Sequence, residues 1–165
     1  MKNSLKLKIE MNKENNKPFP IPPSGSKGSA PFKYKIPIQI RFNDIDMLGH
    51  VNSAVHFTYF ELARVSYFNQ LDKELKIDWP SMSLVVAKME MEYKQQILME
   101  DKLHISVWVS RIGTKSFDMA CSIVRETNGI ETEVAKGFGI IVCFNFKINQ
   151  SIAIPETWKA KMLNS

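Results

Sequence analysis

The run from Ala54 to Leu71 places Val55, Phe57, Tyr59, Phe60, Leu62, Ala63, Val65, Tyr67, Phe68 and Leu71 on every side of a helical wheel. A surface helix is apolar along one stripe only, so this pattern predicts a helix enclosed by other structure. Something must enclose it, and the flanking residues supply strands. Ile36, Ile38, Ile40 and Phe42 alternate before it, and Val85, Ala87, Met89, Met91 and Tyr93 alternate with charged residues after it. Leu103, Ile105, Val107 and Val109 continue the pattern, then Phe117, Met119, Cys121 and Ile123 beyond a turn at Gly113. Asn128-Gly129 is a strong hairpin signal ahead of a last long strand over roughly 131–146. One strand, one long helix and four strands in a meander predict an α+β domain with a five-stranded antiparallel sheet curled around its helix. Residues 155–162 suit a short terminal helix.

Residues 1–32 are of a different kind: Lys, Asn, Pro, Ser and Gly dominate, as in PFPIPPSGSKGSAP. Such a stretch buries too little apolar surface to offset its ordering entropy, so it is read as a disordered extension ahead of a domain at 33–165. The formal charge of +5 also belongs there, because residues 1–35 carry +6 and the remainder −1. The folded part therefore shows no excess of positive charge for nucleic acid. No stretch is apolar and long enough to span a membrane, and the basic amino terminus is interrupted by charges throughout and holds no secretory h-region, so cytoplasm is the expected compartment. Cys121 and Cys143 fall in alternating apolar runs without metal-ligand spacing and read as reduced core residues. Gly137 and Gly139 share one face of the last strand, where they allow either close approach of another chain segment or a local twist or bulge.

The densest chemistry lies in RFNDIDMLGHVNSAVHFTYFELAR, residues 41–64. Asn52 and Ser53 suit the cap of a helix starting near Ala54. Read on residues alone, Asp44 and Asp46 are either turn and capping acids or catalytic carboxylates. The segment resembles the signature of the 4-hydroxybenzoyl-CoA thioesterase-like branch of hotdog-fold proteins, Asp-x-Asp-x-x-Gly-His-Val-Asn before a central helix. Asp44, Asp46, Gly49, His50, Val51, Asn52, Tyr59, Phe60, Glu61, Ala63 and Arg64 stand at matching positions, with Ser53 where a second Asn is common. The likeness, which includes the later RIGTKSF segment, covers about residues 36–162.

That resemblance implies a hotdog-fold acyl-CoA thioesterase that needs no cofactor and no metal, works on an acyl- or aroyl-CoA, and assembles as a homodimer or homotetramer. Thioester hydrolysis requires an activated water or a nucleophile together with donors for the developing oxyanion. The family's catalytic carboxylate matches Asp46, as general base or as attacking nucleophile, and leaves Asp44 structural. The carbonyl-polarising N–H is placed near Ser53, at a helix start that offers unpaired amides, and one such donor is worth roughly 3 kcal/mol. His50 either braces the loop or orients the thioester, and Asn52 braces the loop. Glu61 either orients water across the site or pairs with Arg64. Gly49 and Tyr59 are assigned to the substrate side as motif positions. Arg111 and Lys115, with Ser116 beside them in the RIGTKS turn, are candidates for the phosphates of coenzyme A.

Other hydrolytic plans lack their motifs: there is no GxSxG, HExxH, GxxxxGK[ST] or GxGxxG. Two rivals remain, a hotdog hydratase or dehydratase, whose Asp-x-Asn-Pro-x-His arrangement is absent, and a non-catalytic acyl-CoA-sensing module.

Overall fold

The computed structural model describes residues 34–164 except 76 and 80; the extension at 1–32 lies outside the described residues. Strand β1 (Tyr34–Ile38) leads through a 3₁₀ turn (Phe42–Asp44) and a loop into helix α1 (Val55–Leu75). Then come β2 (Ser83–Tyr93), β3 (Lys102–Ile112), β4 (Ser116–Thr127), β5 (Ile130–Asn145), the two-residue β6 (Gln150–Ser151) and α2 (Glu156–Asn164). The sheet is antiparallel with order β1-β3-β4-β5-β2, and β6 adds to β5.

Two expectations change here. Only β3, β4 and β5 form a meander, because β2 pairs with β5 at the far edge instead of with β3. Alternation along a strand specifies its face and not its neighbour, so this crossover leaves no local trace. Helix α1 consequently crosses the concave face between the two edge strands that precede and follow it. The first strand also stops short of Phe42, which is 83% exposed. Asp44 accepts the Arg41 N–H through its carboxylate and donates its own N–H to the Arg41 carbonyl, which bends the chain out of extended conformation.

The core forms where α1 meets the inward row of each strand: Tyr59, Phe60, Ala63, Tyr67, Phe68 and Leu71 against Ile105, Val107, Phe117, Met119, Cys121, Ile141 and Cys143. Burial of each large side chain contributes roughly 1.5–3 kcal/mol. The helix is not enclosed all round, since Leu62 and Val65 remain 50% and 45% exposed in the single chain. One curved sheet covers one side of a helix only.

The β4–β5 hairpin closes through Asn128 and Gly129, both at positive φ, as a type I′ turn requires. A β-bulge between Val86 and Lys88 shifts the alternation of β2. Leu84 and Val86 thereby join Met89 and Met91 against the core, in place of the expected Val85 and Ala87. Gly139 lies beside this bulge, and a Cβ there would sit 3.4 Å from the Phe60 ring and 3.3 Å from the Lys88 carbonyl oxygen. At Gly137 a Cβ would lie 2.6 Å from the Cys121 sulfur. Both glycines thus make room for close neighbours, and one of them does so next to a bulge.

Candidate functional site

The loop between β1 and α1 is built on Asp44. Its carboxylate is buried and accepts the Arg41 N–H at 2.9 Å, the Tyr59 hydroxyl at 2.8 Å and the Arg41 guanidinium at 2.8 Å. Burial works to raise its pKa, but the bonds from Arg41 and Tyr59 outweigh it and hold the group below the ordinary carboxylate range. Its carbonyl accepts the Asn52 N–H, so one residue ties both ends of the loop together. Tyr59, expected on the substrate side, is instead a core brace: it is 1% exposed and its hydroxyl is spent on Asp44. Burial and this bond push its phenol well above the usual range.

Asp46 starts the turn that follows. Its Oδ1 accepts the Leu48 N–H at 2.8 Å, and its carbonyl accepts the N–H of Gly49, whose φ of +82° suits glycine. The other carboxylate oxygen lies 3.8 Å from Nδ1 of His50, close but beyond hydrogen-bonding range. The acid therefore serves as a turn residue and still keeps one oxygen uncommitted to that turn.

His50 borders a cavity of about 260 Å³, lined also by Val51, Ser53, His56, Tyr93 and the segment Lys94–Ile97. Asp46 is not among the lining residues, whereas His50, 3.8 Å from its carboxylate, is. The Val51 N–H bonds the Ile97 carbonyl, pinning the loop to the link after β2. At the helix start the Asn52 N–H goes to the Asp44 carbonyl, the Ala54 N–H to Asn52 Oδ1 and the Val55 N–H to the Asn52 carbonyl. Among the described residues the Ser53 N–H has no acceptor. An amide without a partner at a helix start, in a residue that lines a cavity, is a ready donor to an anionic oxygen. Asn52 braces the loop through these bonds to Asp44, Ala54 and Val55.

The remaining candidates lie elsewhere. Glu61 is on the open side of α1, its side chain 62% exposed, and of its two expected roles it takes the pairing with Arg64, at 3.2 Å. Arg111 bonds Asp118 across β3 and β4 at 2.7 Å, Lys115 is exposed and Ser116 half-buried in the turn between those strands. By register Ser116 is opposite Val142, which is opposite Val85, eight positions along β2 from Tyr93. The two groups of candidates are therefore separated by roughly 26 Å along the sheet of one chain. His56, Tyr93 and Lys94–Ile97 were missed in the sequence, where His56 reads as one more residue of the helix and Tyr93 as the end of a strand.

Residues 40–162 match the Thioesterase-like superfamily. The chain belongs to that superfamily. Among characterised relatives, the Long-chain acyl-CoA thioesterase FadM of Escherichia coli (strain K12) is 23% identical over 125 residues, 76% of this chain and 93% of that protein. The uncharacterized protein YsmA of Bacillus subtilis (strain 168) is 32% identical over 88 residues, 53% of this chain, and the match spans 58% of YsmA. Among solved structures, a thioesterase from Thermus thermophilus complexed with coenzyme A and Zn aligns with TM-score 0.65 and 30% identity, covering 79% of this chain and 97% of that one. A predicted thioesterase from Bacillus stearothermophilus aligns with TM-score 0.68 and 26% identity, covering 79% and 94%. This superfamily member therefore has the hotdog fold that its motif implies. Among its described residues no three His, Cys, Asp or Glu side chains group to hold a metal ion, and no helix is long and apolar enough to cross a membrane.

Proposed function

We infer that this chain hydrolyses the thioester of an acyl-coenzyme A, with Asp46 as general base and the Ser53 N–H as donor to the carbonyl oxygen. The observation that carries this reading is that Ser53, a residue lining the cavity at the head of α1, has an N–H without an acceptor among the described residues, while the Asp46 carboxylate lies 3.8 Å from His50 of the same cavity. In the reaction Asp46 takes a proton from water as the water oxygen bonds to the carbonyl carbon. The carbonyl oxygen becomes an oxyanion facing the Ser53 N–H, and its collapse breaks the C–S bond. The proton on Asp46 passes to the departing thiolate, which gives a free acid and coenzyme A. His50, which lines the cavity beside that carboxylate, would orient the thioester.

The same reading includes assembly through β2. The cavity falls just short of the ~300–1,000 Å³ typical of small-molecule sites, so one chain offers part of a site. Strand β2 is an eleven-residue edge with half-buried residues, which pairing with a second copy would cover. An antiparallel pairing about its middle would carry the partner's Arg111–Ser116 turn toward this chain's cavity, where basic side chains could meet the phosphates of coenzyme A. A homodimer, or a homotetramer built from it, is the assembly proposed, and light scattering on the purified protein measures it. Acetyl-, hexanoyl-, palmitoyl- and benzoyl-CoA with a chromogenic thiol reagent test the activity. Thiol release that falls at least about a hundredfold in Asp46→Asn supports the reading; undiminished release in that variant overturns it.

A further inference from the structure

Asn52 C=O and Ser53 N–H belong to one trans peptide group, so whatever fixes the carbonyl also aims the amide in the opposite direction. The Asn52 carbonyl accepts two bonds, the Val55 N–H at 3.0 Å and Nδ1 of His56 at 3.2 Å. A carbonyl only accepts, so Nδ1 carries the proton and Nε2 keeps its lone pair. His56 is 4% exposed, and burial lowers its pKa, so the neutral ring is the resident form. Its ring meets that of Tyr93 edge-on, with centroids 4.9 Å apart and planes at 88°. The Tyr93 hydroxyl in turn donates to the Ser53 carbonyl at 3.0 Å. The carbonyls on both sides of the Ser53 amide are thus held by two rings that touch each other and border the cavity.

We propose that His56 is a positioning residue for hydrolysis: its Nδ1–H, held against Tyr93, fixes and polarises the Asn52–Ser53 peptide so that the Ser53 N–H points at the substrate carbonyl. A hydrogen bond at the carbonyl end of a peptide strengthens the donor at the other end, so the effect is electrostatic as well as geometric. The proposal rests on the role inferred above for Ser53. Its effect belongs in kcat, because the oxyanion exists only beyond the ground state.

Two side chains separate the ring's nitrogens. Asn places an amide nitrogen as many bonds from Cβ as Nδ1, and Gln places one as many bonds away as Nε2. Against the best substrate among acetyl-, hexanoyl-, palmitoyl- and benzoyl-CoA, His56→Phe keeps the aromatic contact and is expected to lose about tenfold in kcat, with KM within about twofold. His56→Asn should recover to within about threefold of the parent, while His56→Gln should stay near the Phe variant. Tyr93→Phe should lower kcat by a few-fold, and less than additively when combined with His56→Phe. Unchanged kcat in His56→Phe, or recovery by Gln in place of Asn, overturns the proposal. If His56→Phe does not fold, the Asn and Gln variants decide alone. Loss of turnover in Asp46→Asn combined with no effect at His56 refutes the positioning role and leaves the hydrolase standing. If no acyl-CoA is turned over, both fall together.

Discussion

Replacing Asp44 by Asn is expected to destabilise the protein by about 2 kcal/mol without touching the cavity. The carboxylate is 2% exposed, and one of its oxygens receives both the Arg41 N–H at 2.9 Å and the Tyr59 hydroxyl at 2.8 Å. An Asn oxygen turned to those two donors keeps both bonds but loses the charge. The difference between charge-assisted and neutral bonds is about 1 kcal/mol each, which gives the total of about 2 kcal/mol. The amide NH2 then replaces the oxygen that accepts the Arg41 guanidinium, and that guanidinium, 62% exposed, turns to water, so its loss adds little. Asp44→Ala should cost a further ~1–3 kcal/mol, because it strands the buried Tyr59 hydroxyl without an acceptor. Urea denaturation followed by circular dichroism measures both. The sign with pH follows from the lowered pKa: the contribution of Asp44 is fully present above the unfolded carboxyl value of ~3.9 and is lost as pH falls through the lower folded value. The gap between parent and Asp44→Asn should be constant from pH 7 to about pH 5 and close at more acid pH. A cost under ~0.5 kcal/mol for Asn, or an Ala variant no worse than Asn, would refute the account of this loop.

Gly137→Ala should cost ~1–3 kcal/mol, because its Cβ would stand 2.6 Å from the Cys121 sulfur, and Cys121→Ala in the same chain should recover most of it; thermal melts of the single and double variants decide. Gly49→Ala meets nothing within 4 Å, so its cost of about 1 kcal/mol is purely that of a non-glycine residue at φ +82°, readable in the same melts. Both thiols are buried, and burial pushes Cys143 up to about 11 and Cys121 higher still. The native protein at pH 8 should therefore leave a thiol reagent unreacted until urea exposes both cysteines, which absorbance titration records.

Periodicity made the elements legible because each strand shows one row to α1: Ile105 and Val107, Phe117 and Met119, Ile141 and Cys143 all fall in the core as their alternation predicts. It failed at Val85 and Ala87, where the bulge inverts the faces, and at β2 as a whole, whose partner is set by the path of α1 across the sheet. The apolar residues all round the helical wheel likewise overstated the enclosure of the helix, since Leu62 and Val65 are open in one chain.

The candidate site divides along the same line between local and distant information. Asp46, His50, Asn52 and Ser53 are within eight residues, so their motif specifies a turn, a helix start and a free amide together. His56 and Tyr93 become visible only when β2, at the opposite edge from β1, brings its last residue under the helix head. A buried histidine four residues past Asn52 looks in sequence like one more turn of an apolar helix, and only the orientation of a single peptide group distinguishes it from core. The same holds for Arg111 and Lys115: roughly 26 Å of sheet separates them from the cavity in one chain, so any part they play depends on a second chain reversing that direction. The motif is therefore legible as a local turn and helix start, while the residues that surround it depend on strand order, which no stretch of residues encodes by itself.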